Sequence, residues 1–394
     1  MKIMKDPDEV KQYLPKSCEG CPNAGKCKYQ CVGTHYICDI EFKTIVVAHK
    51  IMACECPLRN NEKLTGDFPE EAQASKQYGK NLQAFIGSLS TAGYVSIGRI
   101  AKFINGLGIS MSAGTVQNIM DGLAKKVNPA VDCIRDKMAS FDVLNCDETG
   151  MRVNGILNWL HCICTSKWSY MAFHSKRGSD AMEEIGIIPG LDDCTLIHDF
   201  WRSYLNYTNV RHAFCNAHIE RELVYAYETT KQGWALKLKE LLSKMCGRRN
   251  ALMNAGDKAY PPAELMEYLE EYDRLVNTAI EANPLPKKEP GKRGKIPHGK
   301  ARCLAERLRD YKDELLRFAT GWSIPFTNNE AEKTIRFSKV KEKVSGGFRT
   351  KNGADAFAKL MSFVSTANKH GMFAYEALTE VLNGRGQSLV QSWD

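Results

Sequence analysis

No apolar run in this chain of 394 residues approaches the roughly 18 to 20 needed to span a bilayer, which excludes a helical membrane protein. The amino terminus, Met-Lys-Ile-Met-Lys-Asp-Pro-Asp, lacks the hydrophobic stretch of a secretory signal, so the expected location is the cytoplasm. No internal repeat is evident, which argues against a solenoid. What is present is a chain 43% apolar, enough for a real core, and long enough for two or three domains.

Cysteine is plentiful but wrongly distributed for a disulfide framework. There are 15, an odd number in a large chain without an export signal, and seven fall between Cys18 and Cys56. Metal binding or free thiols fit that pattern better. Positive charge is also concentrated. From Leu285 to Lys312 ten Lys or Arg face three acids, and from Lys333 to Lys351 seven face one, so the remainder of a chain with net charge +8 is acidic. Basic segments of this kind suit a polyanionic partner, since phosphate contacts supply most non-specific nucleic-acid affinity; solvated surface charge is the plain alternative.

The segment to about Arg59 is cysteine-rich, with a strand-like stretch from Tyr36 to Lys50, and the polar run Asn60 to Asp67 reads as a linker. From Pro69 to about Met138 apolar residues recur at helical spacing, as in Leu82, Phe85, Ile86 and Leu89. Ser96 to Ile119 has the form of a helix-turn-helix, with Gly106 and Gly108 in the turn, Ser112 as N-cap, and Thr115, Gln117 and Asn118 as polar tips for a DNA groove. Two packed helices with no DNA role fit the same pattern. From Phe141 strands take over: Phe141 to Asp147, a hairpin of Ile156 to Thr165 and Trp168 to His174, then Cys194 to Asp199 and Val210 to Cys215, with a helix over Ser179 to Ile185 before the fourth. Three strands, helix, strand, strand is the order of an RNase H-like α/β core. Amphipathic helices from Ala217 to about Phe318 read as an insertion splitting that core, and its Pro/Gly/Lys-rich stretch from Asn283 to Gly299, with Lys292 and Arg293, reads as an exposed basic loop. Asn328 or Asn329 is expected to cap a helix carrying Glu330, Glu332 and Arg336, and a last helix to run from about Gly353 to Lys369. The expected divisions are 1–59, 68–138, 139–216, 217–320, 321–376 and a tail at 377–394.

Three acids stand at informative places: Asp147 and Asp199 closing strand-like runs, and Glu332 in the first turn of a helix. Carboxylate oxygens are hard ligands that magnesium accepts beside substrate phosphates, and phosphodiester chemistry uses two such ions about 4 Å apart. Asp147 suits a bridging position, with Asp199 and Glu332 each serving one ion. Glu330 and Glu332 lie about 200° apart around one helix, so only one can face the centre, and Glu332 is the choice, with Arg336 and Lys333 as phosphate contacts. Glu148, next to Asp147 on a strand, is expected to face the other way.

The stretches Asp147-Glu-Thr-Gly, His198-Asp-Phe-Trp-Arg-Ser-Tyr, Cys215-Asn-Ala-His218 with Arg221 after it, Asn328-Asn-Glu-Ala-Glu332-Lys-Thr-Ile-Arg336 and Ser365-Thr-Ala-Asn-Lys-His-Gly371 occur in an order that resembles the DDE transposases of bacterial insertion sequences. The likeness is greatest to the TnpC-like transposases of insertion-sequence family sixty-six. Thr327 and Lys333 depart from the Asp and Arg usual there. The resemblance implies a catalytic triad of Asp147, Asp199 and Glu332, magnesium as cofactor, cleavage at element ends to expose a 3′-hydroxyl, and attack of that hydroxyl on target DNA. It also implies double-stranded DNA as partner, assembly of several copies on paired ends, and accessory proteins from the same element. A catalytically dead zinc-containing DNA-binding protein and a stand-alone RNase H-like nuclease are the alternatives.

Cys18, Cys21, Cys54 and Cys56 are the expected ligands of a structural zinc in a zinc-finger-like module, which the resemblance also implies, although Cys27, Cys31, His35 and Cys38 compete. Cys215 and His218 supply only two ligands; core packing and helix capping, metal binding, or a DNA contact near the active site all remain open. Trp159, Trp168, Trp201 and Trp322 read as core aromatics, with Trp201 able to stack on a base.

Overall fold

The computed structural model describes residues 7–18, 20–22, 26–69, 72–73, 77–285 and 298–393. By internal contacts it divides into two units, Met1–Val47 and Ala48–Asp394. In the first, the one regular element among the described residues is a turn of 3-10 helix at Lys16–Cys18, and none of its described residues is buried. No strand forms over Tyr36 to Lys50, contrary to expectation. Its apolar residues, Ile37, Ile40, Ile45, Val46 and Val47 among them, lie exposed, and a strand without a partner or a covered face has nothing to stabilise it.

The second unit begins with a hairpin, β1 (Ala53–Cys56) against β2 (Glu62–Thr65). The run from Asn60 to Asp67 is therefore not simply a linker. Asn60 and Asn61 take φ of 52° and 58°, a left-handed geometry that asparagine tolerates, and they turn the chain back.

Helices α1 (Lys80–Thr91), α2 (Ile97–Gly106) and α3 (Ala113–Met138) follow. Ser112 does cap α3, its Oγ accepting from Thr115 N at 3.1 Å. The long α3 buries Val116, Met120, Leu123, Val127, Ile134 and Met138, so one of its faces is the spine of the main core. That core also takes in residues of the last helices, α12 (Lys351–Lys369), α13 (Ala374–Leu382) and α14 (Gly386–Gln391). The expected tail from residue 377 is thus packed structure: Ala377, Leu378, Val381 and Val390 are buried, and Trp393 stacks on His370 with centroids 4.8 Å apart.

The central sheet has five strands in the order β5-β4-β3-β6-β7, comprising β3 (Val143–Val153), β4 (Ile156–Cys164), β5 (Ser169–His174), β6 (Thr195–His198) and β7 (Arg211–Phe214). The β3-β4-β5 ladders are antiparallel, while β6 and β7 run parallel to β3. A helix, α4 (Ser179–Ile185), lies between β5 and β6, as the sequence pattern predicts. One sheet face, with Leu144, Cys146, Ile163 and Leu196, joins the core around α3; the other, with Met151, Val153, Cys162, Cys164 and Met171, packs on α10 (Asn329–Ile335) and α12. The outer edge of β5 is closed by side chains of α12: Ser362 Oγ accepts from Met171 N at 2.8 Å and Thr366 Oγ1 from Ser169 N at 3.1 Å. Those bonds satisfy donors that an edge strand would otherwise present to another chain.

Between β7 and α10 the described residues form five helices, α5 (Asn216–Thr230), α6 (Trp234–Ala255), α7 (Pro262–Ala282), α8 (Lys300–Asp310) and α9 (Lys312–Thr320). They bury a second hydrophobic cluster built on Leu223, Leu238, Leu242, Tyr272, Leu308 and Phe318. Beyond α10, α11 (Phe337–Ser345) leads to a turn in which Gly347, at φ 111°, sits so close to β3 that a Cβ there would lie 2.4 Å from the Arg152 carbonyl oxygen. Only glycine fits, and it allows Phe348 N to reach that oxygen at 2.8 Å.

Candidate active site

Strand register brings the first two acids to one end of the sheet. The parallel pairing of β3 with β6 sets Asn145 opposite Ile197, and continuing it puts Asp147 level with Asp199, one strand spacing or about 4.8 Å away. β3 does not end at Asp147, as its sequence suggests; it runs six residues further, because Thr149, Met151 and Val153 continue the alternation and pair with β4. Asp147 is thus held mid-strand but just beyond the end of β6, and Asp199 immediately follows β6. On the far side of β6, β7 ends at Phe214, opposite His198, so Cys215 is next in line with Asp199.

Asp147 shares the sheet face of Met151 and Val153, towards α10. Burial raises its carboxyl to about 7, with added repulsion from Glu148, Asp199 and Glu332 and a partial offset from the Glu148 N–H, which donates to Oδ1 at 2.9 Å. Two carboxylates from distant segments therefore bear on it, besides its neighbour. Glu332 is in the first turn of α10, and Glu330, two residues earlier, is drawn off to Lys369 of α12 at 2.9 Å. That divergence follows from helical geometry.

The N-cap of α10 is Asn328, one of the two residues expected there, but its side chain makes no capping bond. Asn328 is at the N-cap but only 2% exposed; its Nδ2 donates to the Cys146 carbonyl at 2.7 Å and its Oδ1 accepts from Asn145 Nδ2 at 2.8 Å. The amide is spent on latching α10 to β3, either side of which stand Glu332 and Asp147.

Glu148 faces the α3 side of the sheet, its side chain 1% exposed, and receives Arg177 Nε at 2.7 Å and the Tyr204 hydroxyl at 2.8 Å. Burial pushes its carboxyl up against the pull of those two donors. Arg177 Nη2 also lies 3.9 Å from Asp199 Oδ2, and its guanidinium sits 4.0 Å from the Trp201 ring centroid and 4.9 Å from that of Trp159. One face of Trp201 is therefore already covered. Asp199 Oδ1 accepts from Trp201 N at 3.0 Å. Arg177 is a single arginine in a connecting loop, and nothing in its sequence context singles it out.

Among the described residues, the group of three Cys, His, Asp or Glu donors lying within 4.8 Å of one another is Cys215, His218 and Glu332. Asp147 and Asp199 are not part of it. Lys333 and Arg336 are exposed beside Glu332, Arg336 at the junction of α10 and α11 and not within one continuous helix. Next to Asp199, a cleft of about 940 Å³ between the sheet end and the insertion is lined by the basic Arg202, Arg221, Lys300 and Arg307 together with the acidic Glu222, Glu306 and Asp310.

The remaining expected residues lie elsewhere. Thr115 and Gln117 have side-chain partners on their own helix, Thr115 Oγ1 at 2.9 Å from Ser112 Oγ and Gln117 Nε2 donating to Asp121 at 2.8 Å, whereas Asn118 is exposed. Lys292 and Arg293 fall outside the described residues. Cys18 and Cys21 belong to the first unit, and Cys54 and Cys56 lie two apart on β1 of the second, on one face of the strand; no disulfide forms among the described residues.

No helix among the described residues is long and apolar enough to cross a membrane. No curated protein matches the chain. The family model described as "Transposase IS66 family" matches residues 75–356, a span that takes in all three acids, the helical region before the sheet and the whole insertion. The mixed α/β architecture with its five-stranded sheet is compatible with a DDE-type core, and the chain belongs to the IS66 family of transposases.

Proposed function

We propose that this transposase cleaves DNA at insertion-sequence ends and transfers the freed strand to target DNA at a centre formed by Asp147, Asp199 and Glu332, on an RNase H-like core. The observation that carries the reading is the convergence on Asp147: a largely buried mid-strand carboxyl raised to about 7, with the charges of Asp199 and Glu332 bearing on it from separate segments. The three carboxylates do not all lie within 4.8 Å of one another; drawn together on an ion they would make an all-oxygen donor set, which fits magnesium. When bound, two such ions supply activation of the attacking oxygen and stabilisation of the leaving one.

The protein's own residues do the rest. β3 fixes Asp147, the Trp201 N–H and Arg177 orient Asp199, and the Asn328 latch sets Glu332. Lys333 and Arg336, exposed beyond Glu332, with Arg202, Arg221 and Lys300 among the mixed charges of the cleft, are the phosphate contacts of this reading. Asn118, and less directly Thr115 and Gln117, belong to a second DNA contact, as do Lys292 and Arg293. A structural zinc on Cys18, Cys21, Cys54 and Cys56 rests on their sequence spacing, and metal analysis of the purified chain tests it.

The decisive experiment is strand cleavage of element-end DNA with magnesium, repeated with Asp147→Ala. Magnesium-dependent nicking by the parent chain, absent in the variant, and recovery of joined donor and target strands are expected. Binding without nicking would mean a dead DNA-binding protein; hydrolysis without joining would mean a nuclease.

A further inference from the structure

Cys215 closes β7 and is the N-cap of α5, and His218 follows in the first turn of that helix, three residues on and so on the same side. The third group, Glu332, arrives on α10 from across the insertion. Cys215 Sγ is 4.0 Å and His218 Nδ1 3.9 Å from the same Glu332 oxygen, Oε1. Bonds of 2.0 to 2.3 Å at a tetrahedral ion would set these donors roughly 3.4 to 3.6 Å apart, so Glu332 needs to close by about half an ångström on each partner, and all three donors already lie within 4.8 Å of one another.

Two independent observations mark this group as a ligand set. First, His218 Nδ1 is buried and has no hydrogen-bond partner, although a carboxylate and a sulfur face it. A buried ring nitrogen left unsatisfied in that position is costly unless something else engages it. Second, the sulfur is fixed in place beside Glu332 by a backbone donor from the α10 side, Asn328 N at 3.1 Å from Cys215 Sγ. Thiolate, imidazole and one carboxylate are the donors of a zinc-class ion, not of magnesium, which avoids sulfur and takes oxygen.

We propose that Cys215, His218 and Glu332 form a binding site for a zinc-class divalent ion, open at the fourth position, and that its occupancy withdraws Glu332 from the magnesium centre. The Cys215 thiol gives up its proton to solvent as the ion binds. The first half of this proposal concerns ligands alone; the second rests on the catalytic reading of Glu332. Zinc and magnesium would then compete through one shared carboxylate, which makes the enzyme sensitive to zinc as an inhibitor.

Cobalt(II) is the probe, because a thiolate ligand gives it a charge-transfer absorption and four-coordination gives intense visible bands. To silence other thiolates, the full chain is used with Cys18, Cys21, Cys27, Cys31, Cys38, Cys54 and Cys56 changed to Ser. One equivalent of cobalt should produce both signals, Cys215→Ala and His218→Ala should each abolish or weaken them at least tenfold in affinity, and Asp147→Ala should keep them. Absence of the thiolate band, or its survival in both ligand variants, overturns the site. Should Cys215→Ala fail to fold, as judged by circular dichroism, the half-exposed His218→Ala decides alone.

The second arm measures magnesium-dependent cleavage against added zinc. Inhibition with a midpoint at least tenfold higher in His218→Ala, relative to that variant's own rate, is expected. An equal midpoint in the two proteins refutes the competition while leaving a confirmed cobalt site intact. A chain that never cleaves brings down the catalytic reading and the competition with it, but not the site.

Discussion

Asn328→Ala is the sharpest single perturbation of the proposed centre that leaves every carboxylate in place. Its amide makes one bond to the Cys146 carbonyl and one with Asn145, whose own residue is 6% exposed. Truncation leaves both partners buried and under-satisfied, and each such group costs about 1 to 3 kcal/mol. The expected loss is about 3 kcal/mol in urea unfolding. In an Asn145→Ala/Asn328→Ala pair the orphaned Asn145 amide is gone, so the double variant should cost less than the sum of the singles by about 1 to 2 kcal/mol. Function should fall further than stability does. Glu332 is one helical turn beyond Asn328, and displacement of a reacting group by about 1 Å can cost two orders of magnitude in rate. Cleavage by Asn328→Ala, measured well below its unfolding midpoint, is expected to drop at least tenfold. A cost under about 1 kcal/mol with additive singles and unchanged cleavage would show that α10 is held on β3 by something else.

Three further outcomes follow from neighbouring geometry. Arg177→Met strips the buried Glu148 carboxylate of its cation and should destabilise by about 3 to 5 kcal/mol, whereas Glu148→Met/Arg177→Met/Tyr204→Phe, which also removes the hydroxyl that donates to Glu148, should lie within about 1 kcal/mol of the parent, since a buried pair contributes little net; urea melts of the two variants and the parent measure both. Lys341 is 5% exposed, with Nζ 4.9 Å from the Phe357 ring centroid, and burial lowers its ammonium to about 8. Below that pH it is charged folded and unfolded and the burial cost is present in full; between about 8 and the unfolded value near 10.4 the unfolded chain holds more protons, so stability rises with pH. Lys341→Met should add about 1 to 3 kcal/mol at pH 7 and flatten that rise, which thermal or urea unfolding from pH 7 to 10 checks. Glu330→Gln, which breaks only the partly exposed pair with Lys369, should cost at most about 1 kcal/mol and retain cleavage, while Glu332→Gln should lose cleavage; equal losses would overturn the assignment of the third acid.

The elements that could be read from the sequence are those whose signal is local. The β4-β5 hairpin, α4 and the parallel strands β6 and β7 each carry their own periodicity, and Ser112 sits where an N-cap must. The errors occur where a neighbour overrides the local signal. The local pattern ends β3 at Asp147, but the ladder with β4 carries it on to Val153. Asn328 has a capping residue's identity and position, yet β3 takes its side chain. The segment from residue 377 reads as a tail only if its apolar residues are counted without α1, α3 and α12, against which they pack. Conversely, Tyr36 to Lys50 has strand composition and no partner. The Cys-x-x-His pair is visible as a spacing, but its third donor lies more than a hundred residues on and meets it only through the tertiary fold.

That separation makes the insertion part of the site and not an appendage. The chain leaves the sheet at Cys215, beside Asp199, and must return α10 to within ångströms of its departure point for Glu332 to face Asp147. A loose return would blur the position of the third acid. The return is instead pinned from both sides. Arg249 of α6, 6% exposed, donates to the carbonyls of Trp322 and Ile324 at 2.5 and 3.0 Å; Asn216 donates from its backbone to Phe326 and from its side chain to Leu315, at 3.1 and 3.0 Å. Asn216 immediately follows Cys215, so the point of exit from the sheet and the point of re-entry are joined directly. The position of Glu332 therefore depends on packing of the second hydrophobic cluster as well as on the sheet. Arg249→Leu, more than 80 residues from Glu332 in sequence and not among the groups facing the proposed centre, should lower cleavage by slackening the segment from Trp322 to Asn328, while leaving the unfolding of the α3 core unchanged.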